Sequence, residues 1–326
     1  RWAREVLGWC LADLHLKAAV LRFIDCLPSL RTPQAVVRHV RDYFPTDQFR
    51  LPPVLRMGVS LSQPGLLTAP AVAAVVRQAV ERVGRQFIAG VSDQDAVEII
   101  RRAASQGLLV SFDVLGEQVL SEAEADAYVR RYASLISAVA RSVQPPDASR
   151  AAPTRPLAHV SIKPSSLTSH FSPLAFEDSL ERAVHRLSPL VELAADVGAS
   201  VTLDMEQYEL RDLTLAVAQR LLGEQTLGSR LTLGVVIQAY LCDTGPALEP
   251  FLEEVSRQGR CLSVRLVKGA YWDYEVTQAK QHGWAIPVSL QKWQTDQAFE
   301  RLTRRLLMAG EHVDVAIGSH NVRSVA

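Results

Sequence analysis

Leu262-Ser263-Val264-Arg265-Leu266-Val267-Lys268-Gly269-Ala270-Tyr271-Trp272 is the stretch whose reading decides the fold. Leu262 to Val267 form an apolar strand with an arginine in its middle. The strand ends on a lysine, a small-residue pair and two aromatics. An arginine in such a run must find an acceptor, because a buried unpaired charge is too costly to keep. Gly269 and Ala270 let another group approach the backbone, and Tyr271 and Trp272 offer flat faces. The functional reading is a strand end built around an anionic or polarisable planar molecule. The structural alternative is a buried ion pair followed by a turn with two core aromatics.

The same rhythm recurs on either side. Apolar segments fall at Phe87–Gly90, Leu108–Val114, Ala158–Lys163, Ser200–Met205, Leu233–Tyr240, Leu262–Lys268 and Val313–Gly318. Helical periodicity fills Ser121–Val139, where Ser121-x-x-Glu124 is a capping box, and Phe176–Val197, Leu210–Leu222 and Lys292–Met308. Near-continuous apolar strands alternating with helices predict a parallel sheet covered on both faces. Strand after strand ends in a reactive side chain: Glu117, Lys163, Asp204, Gln238, Lys268, His320. Functional groups of a (β/α)8 barrel gather at the carboxyl ends of its strands, whereas an open dinucleotide-binding sheet carries one glycine-rich turn. Neither GxGxxG nor GxxxxGK[ST] occurs. The expected fold is therefore α/β, a TIM-like (β/α)8 barrel. Only seven strand signals are present, and the seventh ends at Ser319-His320-Asn321, so the last strand and helix are expected to lie beyond Ala326.

Ahead of the barrel, residues 1–66 read as a helical arm and linker, leaving 67–326 for the barrel. Leu7, Leu11, Leu14, Ala18, Leu21 and Ile24 recur at helical spacing up to a break near Pro28-Ser29. A second helix follows Thr32-Pro33, with proline in its first turn. Residues 48–66 hold Pro52, Pro53, Pro64 and Gly65 and read as irregular, and a helix spans about Ala69 to Val83. The proline-rich segment from Val143 to Pro156 reads as a flexible insertion.

Composition excludes several classes. The 326 residues are 48% hydrophobic, ample for a large core. Lys+Arg and Asp+Glu both number 35, and that balance argues against a nucleic-acid surface. No apolar run reaches membrane-spanning length, and the N-terminus lacks a signal-peptide pattern and begins without Met. Cys10, Cys26, Cys242 and Cys261 show neither CxxC nor zinc-finger spacing, which predicts reduced, mostly buried thiols in a cytosolic protein. No HxH or HExxH supports a metal.

Individual candidates leave alternatives open. Lys163 in Val160-Ser161-Ile162-Lys163 could anchor a carboxylate, form a Schiff base or snorkel from a strand end. Asp204 and Glu206 share a parity and suit acid–base work or a metal, with helix capping as the alternative for Glu206. Gln238 is a hydrogen-bond anchor to a ligand ring or to a neighbouring backbone group. His320 suits a base, a cofactor contact or a structural role.

Together these motifs resemble the proline dehydrogenase barrel, especially that of the bifunctional bacterial proline utilisation A flavoenzymes. The resemblance rests on Val160-Ser161-Ile162-Lys163, Leu203-Asp204-Met205-Glu206, Val236-Ile237-Gln238-Ala239-Tyr240, Arg265 through Trp272, and Ser319-His320-Asn321, in order from about residue 85 onward. Leu21-Arg22-Phe23-Ile24-Asp25 and Leu27-Pro28-Ser29-Leu30 look like the arm preceding that barrel. The resemblance implies FAD-dependent oxidation of L-proline to Δ1-pyrroline-5-carboxylate, with a membrane quinone as electron acceptor. It also implies a cytoplasmic location peripheral to the inner membrane. Arg265 would lie beside the hydride-accepting edge of the flavin and Gln238 at its pyrimidine edge. Met205, Lys268, Gly269, Ala270, Trp272, Thr295, Ser319 and His320 would line the cofactor. Lys163 would pair with the proline carboxylate, Tyr271 would cover the ring, Asp204 would organise the pocket, and Glu117 would act as a gate-like ion-pair partner.

The family carries a tyrosine and an arginine pair on its last helix, and the sequence stops short of it. Weak or absent proline turnover is therefore the expectation for this chain. The aldehyde dehydrogenase activity of the bifunctional relatives would belong to a downstream pyrroline-5-carboxylate dehydrogenase segment, and no ribbon-helix-helix supports DNA binding. A Schiff-base aldolase barrel using Lys163 or Lys268, and a non-catalytic barrel scaffold, are the competing readings.

Overall fold

The structure is a computed structural model that describes residues 8, 13–45, 47–49, 56, 68–85, 87–116, 118–142, 158–224 and 233–325. It divides into two compact units, 1–91 and 92–326. The expected irregular linker at 48–66 and the insertion at 143–156 fall almost wholly outside the described residues, as does Cys10.

The first unit contains α1 (Leu14–Cys26), α2 (Pro33–Tyr43) and α3 (Ala69–Gly84). Asp13 caps α1 by accepting from the His15 and Leu16 amides, and Thr32 caps α2 by accepting from Ala35 N at 3.2 Å. Leu27-Pro28-Ser29 forms one 3-10 turn, so the predicted break is a tight corner. Phe23, Leu27, Leu30, Val36, Val40 and Ala73 close the core of this unit.

The second unit runs α4 (Asp93–Ser105), β1 (Val110–Asp113), α5 (Glu122–Ser142), β2 (Ala158–Ile162), α6 (Phe176–Val197), β3 (Ala199–Leu203) and α7 (Arg211–Gly223). It continues with β4 (Leu233–Gln238), α8 (Thr244–Arg257), β5 (Leu262–Val267), α9 (Trp272–His282), α10 (Lys292–Leu307), β6 (Val313–Gly318) and α11 (Val322–Val325). The strands form a six-stranded sheet in the order β1-β2-β3-β4-β5-β6. Every pairing is parallel. This is a parallel half-barrel of the β/α type, with β1 and β6 at its edges among the described residues.

Two expectations need correction. Phe87–Gly90 is not a strand. It joins α3 to α4 as turn and coil, with Phe87 70% and Ile88 41% exposed, and no neighbouring strand takes up its backbone groups. The cysteines are not mostly buried either: Cys26 is half-buried, while Cys242 and Cys261 are exposed, though all three are free thiols. Cys242 and Cys261 lie in the turns flanking β4 and β5, outside the helix-facing rows that make the core.

The register explains where the site lies. Asp113 pairs with Ser161, Ser161 with Thr202, Thr202 with Gly234, Gly234 with Ser263 and Ser263 with Asp314. Paired residues of a parallel sheet face the same side, so one face carries this polar row. The other face carries Val160, Ile162, Val201, Leu203, Val235, Ile237, Val264 and Leu266, packed in one core with helix residues such as Leu187, Phe251 and Phe299. The next inward layer pairs Val236, Arg265 and Ala316, and the last pairs Gln238, Val267 and Gly318. Polar side chains thus recur on this face in successive layers up to Gln238.

Candidate active site

Lys163 follows β2 directly, is 8% exposed, and donates to Asp113 Oδ1 at 2.8 Å and Asp204 Oδ2 at 3.3 Å. Asp204 follows β3, where its amide continues the ladder to Ile162 O at 2.9 Å. Its other oxygen accepts from Arg265, whose second nitrogen donates to Ser161 Oγ at 3.0 Å. The acceptor that an arginine in an apolar strand requires is thus Asp204. Burial pulls the Lys163 ammonium down, but the Asp113 hydrogen bond and the Asp204 and Asp113 charges overcome it and hold the group at about 12. Burial raises Asp204 above the ordinary carboxylate value against the opposing pull of Arg265 and Lys163. The cluster contains two cations and two carboxylates and is neutral overall. One flank bears His159, which burial and then the Arg265 charge pull below the ordinary histidine value.

Glu206 does not stand beside Asp204 as a second inward carboxylate. The strand ends at Leu203, parity lapses, and Glu206 is fully buried. It accepts from Ser165 N at 3.3 Å and Ser165 Oγ at 2.5 Å, tying the turn after β3 to the turn after β2. The helix it caps is therefore the 3-10 turn Pro164–Ser166, not the one that follows it in sequence.

Gln238 closes β4 at 3% exposure and donates from Nε2 to Met205 O at 3.4 Å and Glu206 O at 3.3 Å. Its Oε1 is buried without a hydrogen-bond partner. A buried acceptor left unpaired costs on the order of 1–3 kcal/mol. Met205 is buried as well and lines the same small cavity as Gln238.

Past Val267 the backbone leaves the sheet, so Arg265 and Tyr271 do not share a strand face. Lys268 donates to Asp296 on α10 and lies 5.6 Å from the Phe299 ring. Gly269 adopts φ +132°, and a Cβ there would run into the Tyr240 ring. The group that comes close to this glycine is thus a tyrosine of β4's own turn. Burial lifts the Tyr240 hydroxyl to about 12, and that hydroxyl accepts from Tyr271 N at 3.4 Å. Ala270 is exposed, Tyr271 half-buried, and Trp272 40% exposed, with its indole donating to Ser289 O at 2.9 Å. Thr295 is buried on α10. Ser319 and exposed His320 follow β6, and Ser319 Oγ accepts from Asn321 N at 3.1 Å. Glu117 lies outside the described residues.

The structure brings Lys163, Asp204 and Arg265 into one cluster, joined by Asp113 and Ser161, to which the sequence reading gave no role. Asp113 is the last residue of β1 and obeys the strand-end rule that marks Lys163 and Asp204. Ser161 carried no signal beyond its parity. Among the described residues no group of His, Cys, Asp and Glu could hold a metal ion.

The family profile described as proline dehydrogenase matches residues 96–326. The chain belongs to the proline dehydrogenase family. A second profile, the proline utilization A N-terminal domain, matches residues 1–87. The bifunctional protein PutA of Escherichia coli K12 is 29% identical over 258 residues, covering 79% of this chain and 19% of that protein. Proline dehydrogenase 1 of Bacillus subtilis strain 168 is 29% identical over 234 residues, covering 71% of this chain and 64% of that protein. The crystal structure of proline utilization A from Bdellovibrio bacteriovorus, inactivated by N-propargylglycine, superposes with a TM-score of 0.82 at 31% identity. It covers 98% of this chain and 32% of that one. The chain thus spans about a fifth (19%) of the length of the bifunctional relatives. For a proline dehydrogenase fold, the cluster lies where barrel chemistry is expected, at the carboxyl ends of the strands.

Proposed function

We propose that this chain is the proline-oxidising, FAD-binding part of a bifunctional proline utilisation A enzyme. It would convert L-proline to Δ1-pyrroline-5-carboxylate and pass electrons to a membrane quinone, with dehydrogenation of that product in another segment. The observation that carries this reading is the inward-facing cluster of Asp113, Lys163, Asp204 and Arg265, with Lys163 and Asp204 buried at its centre, together with the unpaired Gln238 Oε1. A flavin ring has an imide N–H at its pyrimidine edge, the donor that Oε1 lacks, so the residues present fit the cofactor. Bound flavin would supply the two-electron acceptor.

The chain's own side chains would do the rest. Lys163 has three N–H donors, of which two go to Asp113 and Asp204, leaving one for the proline carboxylate. Asp204 orients both Lys163 and Arg265, and Arg265 presents positive charge to the redox edge of the cofactor. Tyr271 would cover the substrate ring. Met205, Lys268, Gly269, Ala270, Trp272, Thr295, Ser319 and His320 would line the cofactor, and Glu117 would gate the site. Because the cluster is neutral, it offers a carboxylate one hydrogen bond and no surplus charge, which supports weak proline binding. An ammonium held at about 12 is a poor amine nucleophile near neutrality, so the Schiff-base reading loses its leading residue.

The test is FAD titration followed by anaerobic addition of L-proline and a soluble quinone analogue. Bound flavin that L-proline bleaches only slowly and at high concentration, and that N-propargylglycine inactivates as it does the Bdellovibrio protein, is the expected result. Absence of flavin binding, or bleaching that survives Lys163→Met unchanged, would overturn the reading.

A further inference from the structure

Asp296 carries no motif, yet it sits between two lysines. Its Oδ1 accepts from Lys268 Nζ at 2.5 Å and its Oδ2 from Lys292 Nζ at 2.8 Å. Those two hydrogen bonds hold its carboxyl below the ordinary aspartate value. The Lys268 side chain, 25% exposed, is thereby fixed to α10 above the Phe299 ring. Among the described residues its ammonium makes no other hydrogen bond to a side chain, so two of its three N–H donors remain for a ligand. Two lysines against one carboxylate leave this trio with net positive charge, unlike the neutral Lys163 cluster.

We propose that Asp296 is a positioning residue, holding Lys268 at the end of β5 so that its remaining donors meet an anionic group of the flavin cofactor. This rests on the flavin reading above. Freezing a free lysine side chain on binding weakens affinity by up to about thirtyfold, and a lysine already tethered avoids that loss. If Asp296 instead competed with the ligand for Lys268, its removal would tighten binding.

FAD is titrated by flavin fluorescence into the full chain, unaltered and as Asp296→Asn, Asp296→Glu, Lys268→Met and the Lys268→Met/Asp296→Asn double variant. Asp296→Asn should weaken FAD binding about tenfold, within the limit set by lysine freezing. Asp296→Glu should restore most of it, and the double variant should bind no worse than Lys268→Met. Unchanged or tighter binding by Asp296→Asn, or a full-sized loss on the Lys268→Met background, overturns the proposal. A second arm needs no flavin: acetic anhydride labelling of Lys268, read by peptide mass spectrometry, should run several-fold faster in Asp296→Asn. Equal labelling overturns the tether whatever the titration shows. Failure of the unaltered chain to bind FAD would refute the functional reading while the labelling still decides the tether.

Discussion

Replacing Lys163 with methionine tests the central cluster while keeping a long, unbranched side chain. The native environment lifts the Lys163 ammonium from 10.5 to about 12, which corresponds to roughly 2 kcal/mol favouring the charged form in the folded state. That contribution is fully present below 10.5 and is lost as pH rises through about 12. The substitution removes it and also leaves Asp204, 9% exposed, with Arg265 as its remaining cation. Breaking a buried pair by removing one partner costs about 3–5 kcal/mol. Methionine recovers part of that by packing, so a net loss of about 2–4 kcal/mol at pH 7 is expected. Urea denaturation of both proteins at pH 7 and pH 4 measures it. The gap should narrow on acidification, because burial raises Asp204 above the ordinary carboxylate value, and as it takes up its proton it no longer needs a cation. Equal stability at pH 7, or a gap that does not change with pH, would refute the idea that Lys163 is held by these carboxylates.

Gly269→Ala drives a Cβ into the Tyr240 ring at φ +132°; it should cost at least about 3 kcal/mol by thermal denaturation. Glu275 is buried, accepts from Tyr208 N at 2.7 Å, and is raised above the ordinary glutamate value by burial, which outweighs that hydrogen bond. A raised carboxyl makes the folded state bind protons more tightly, so stability falls as pH rises from 4.5 through the folded value. Glu275→Gln should therefore raise Tm at pH 7 and leave it nearly unchanged at pH 4; a lower Tm at pH 7 would sink the argument. Ser121→Ala deletes the acceptor for Glu124 N at 3.3 Å and should cost about 1 kcal/mol by denaturant titration.

The fold was legible because parallel strands write their burial into composition. Phe176–Val197 matches α6 residue for residue, and all six apolar segments after Gly90 end within two residues of their strands. Phe87–Gly90 misled because four apolar residues ending in glycine cannot be told from a strand without a pairing partner. Helix α8 contains Pro246 and Pro250, residues that weaken a helical pattern, yet Leu248, Phe251, Leu252 and Val255 bury one face and hold it. In the site, Lys163, Asp204 and Gln238 were visible as polar residues ending apolar runs. Asp113 followed the same rule and lost to Glu117, four residues on. Asp296 was invisible, because its meaning lies in Lys268, distant in sequence.

Glu206 also decides what can move. Its side chain grips Ser165 while its carbonyl accepts from Gln238, so the turns after β2 and β3 and the end of β4 are tied into one block. The turn after β1 is joined to that block through Gln118 N and Ser165 Oγ at 3.3 Å, with Gln118 in a left-handed conformation at φ 46°. An incoming molecule therefore meets a stiff floor on three sides. Among the described residues the turn after β1 is held to this block by the single bond at Gln118, so exchange of the Gln118 amide should outpace that of Ser165.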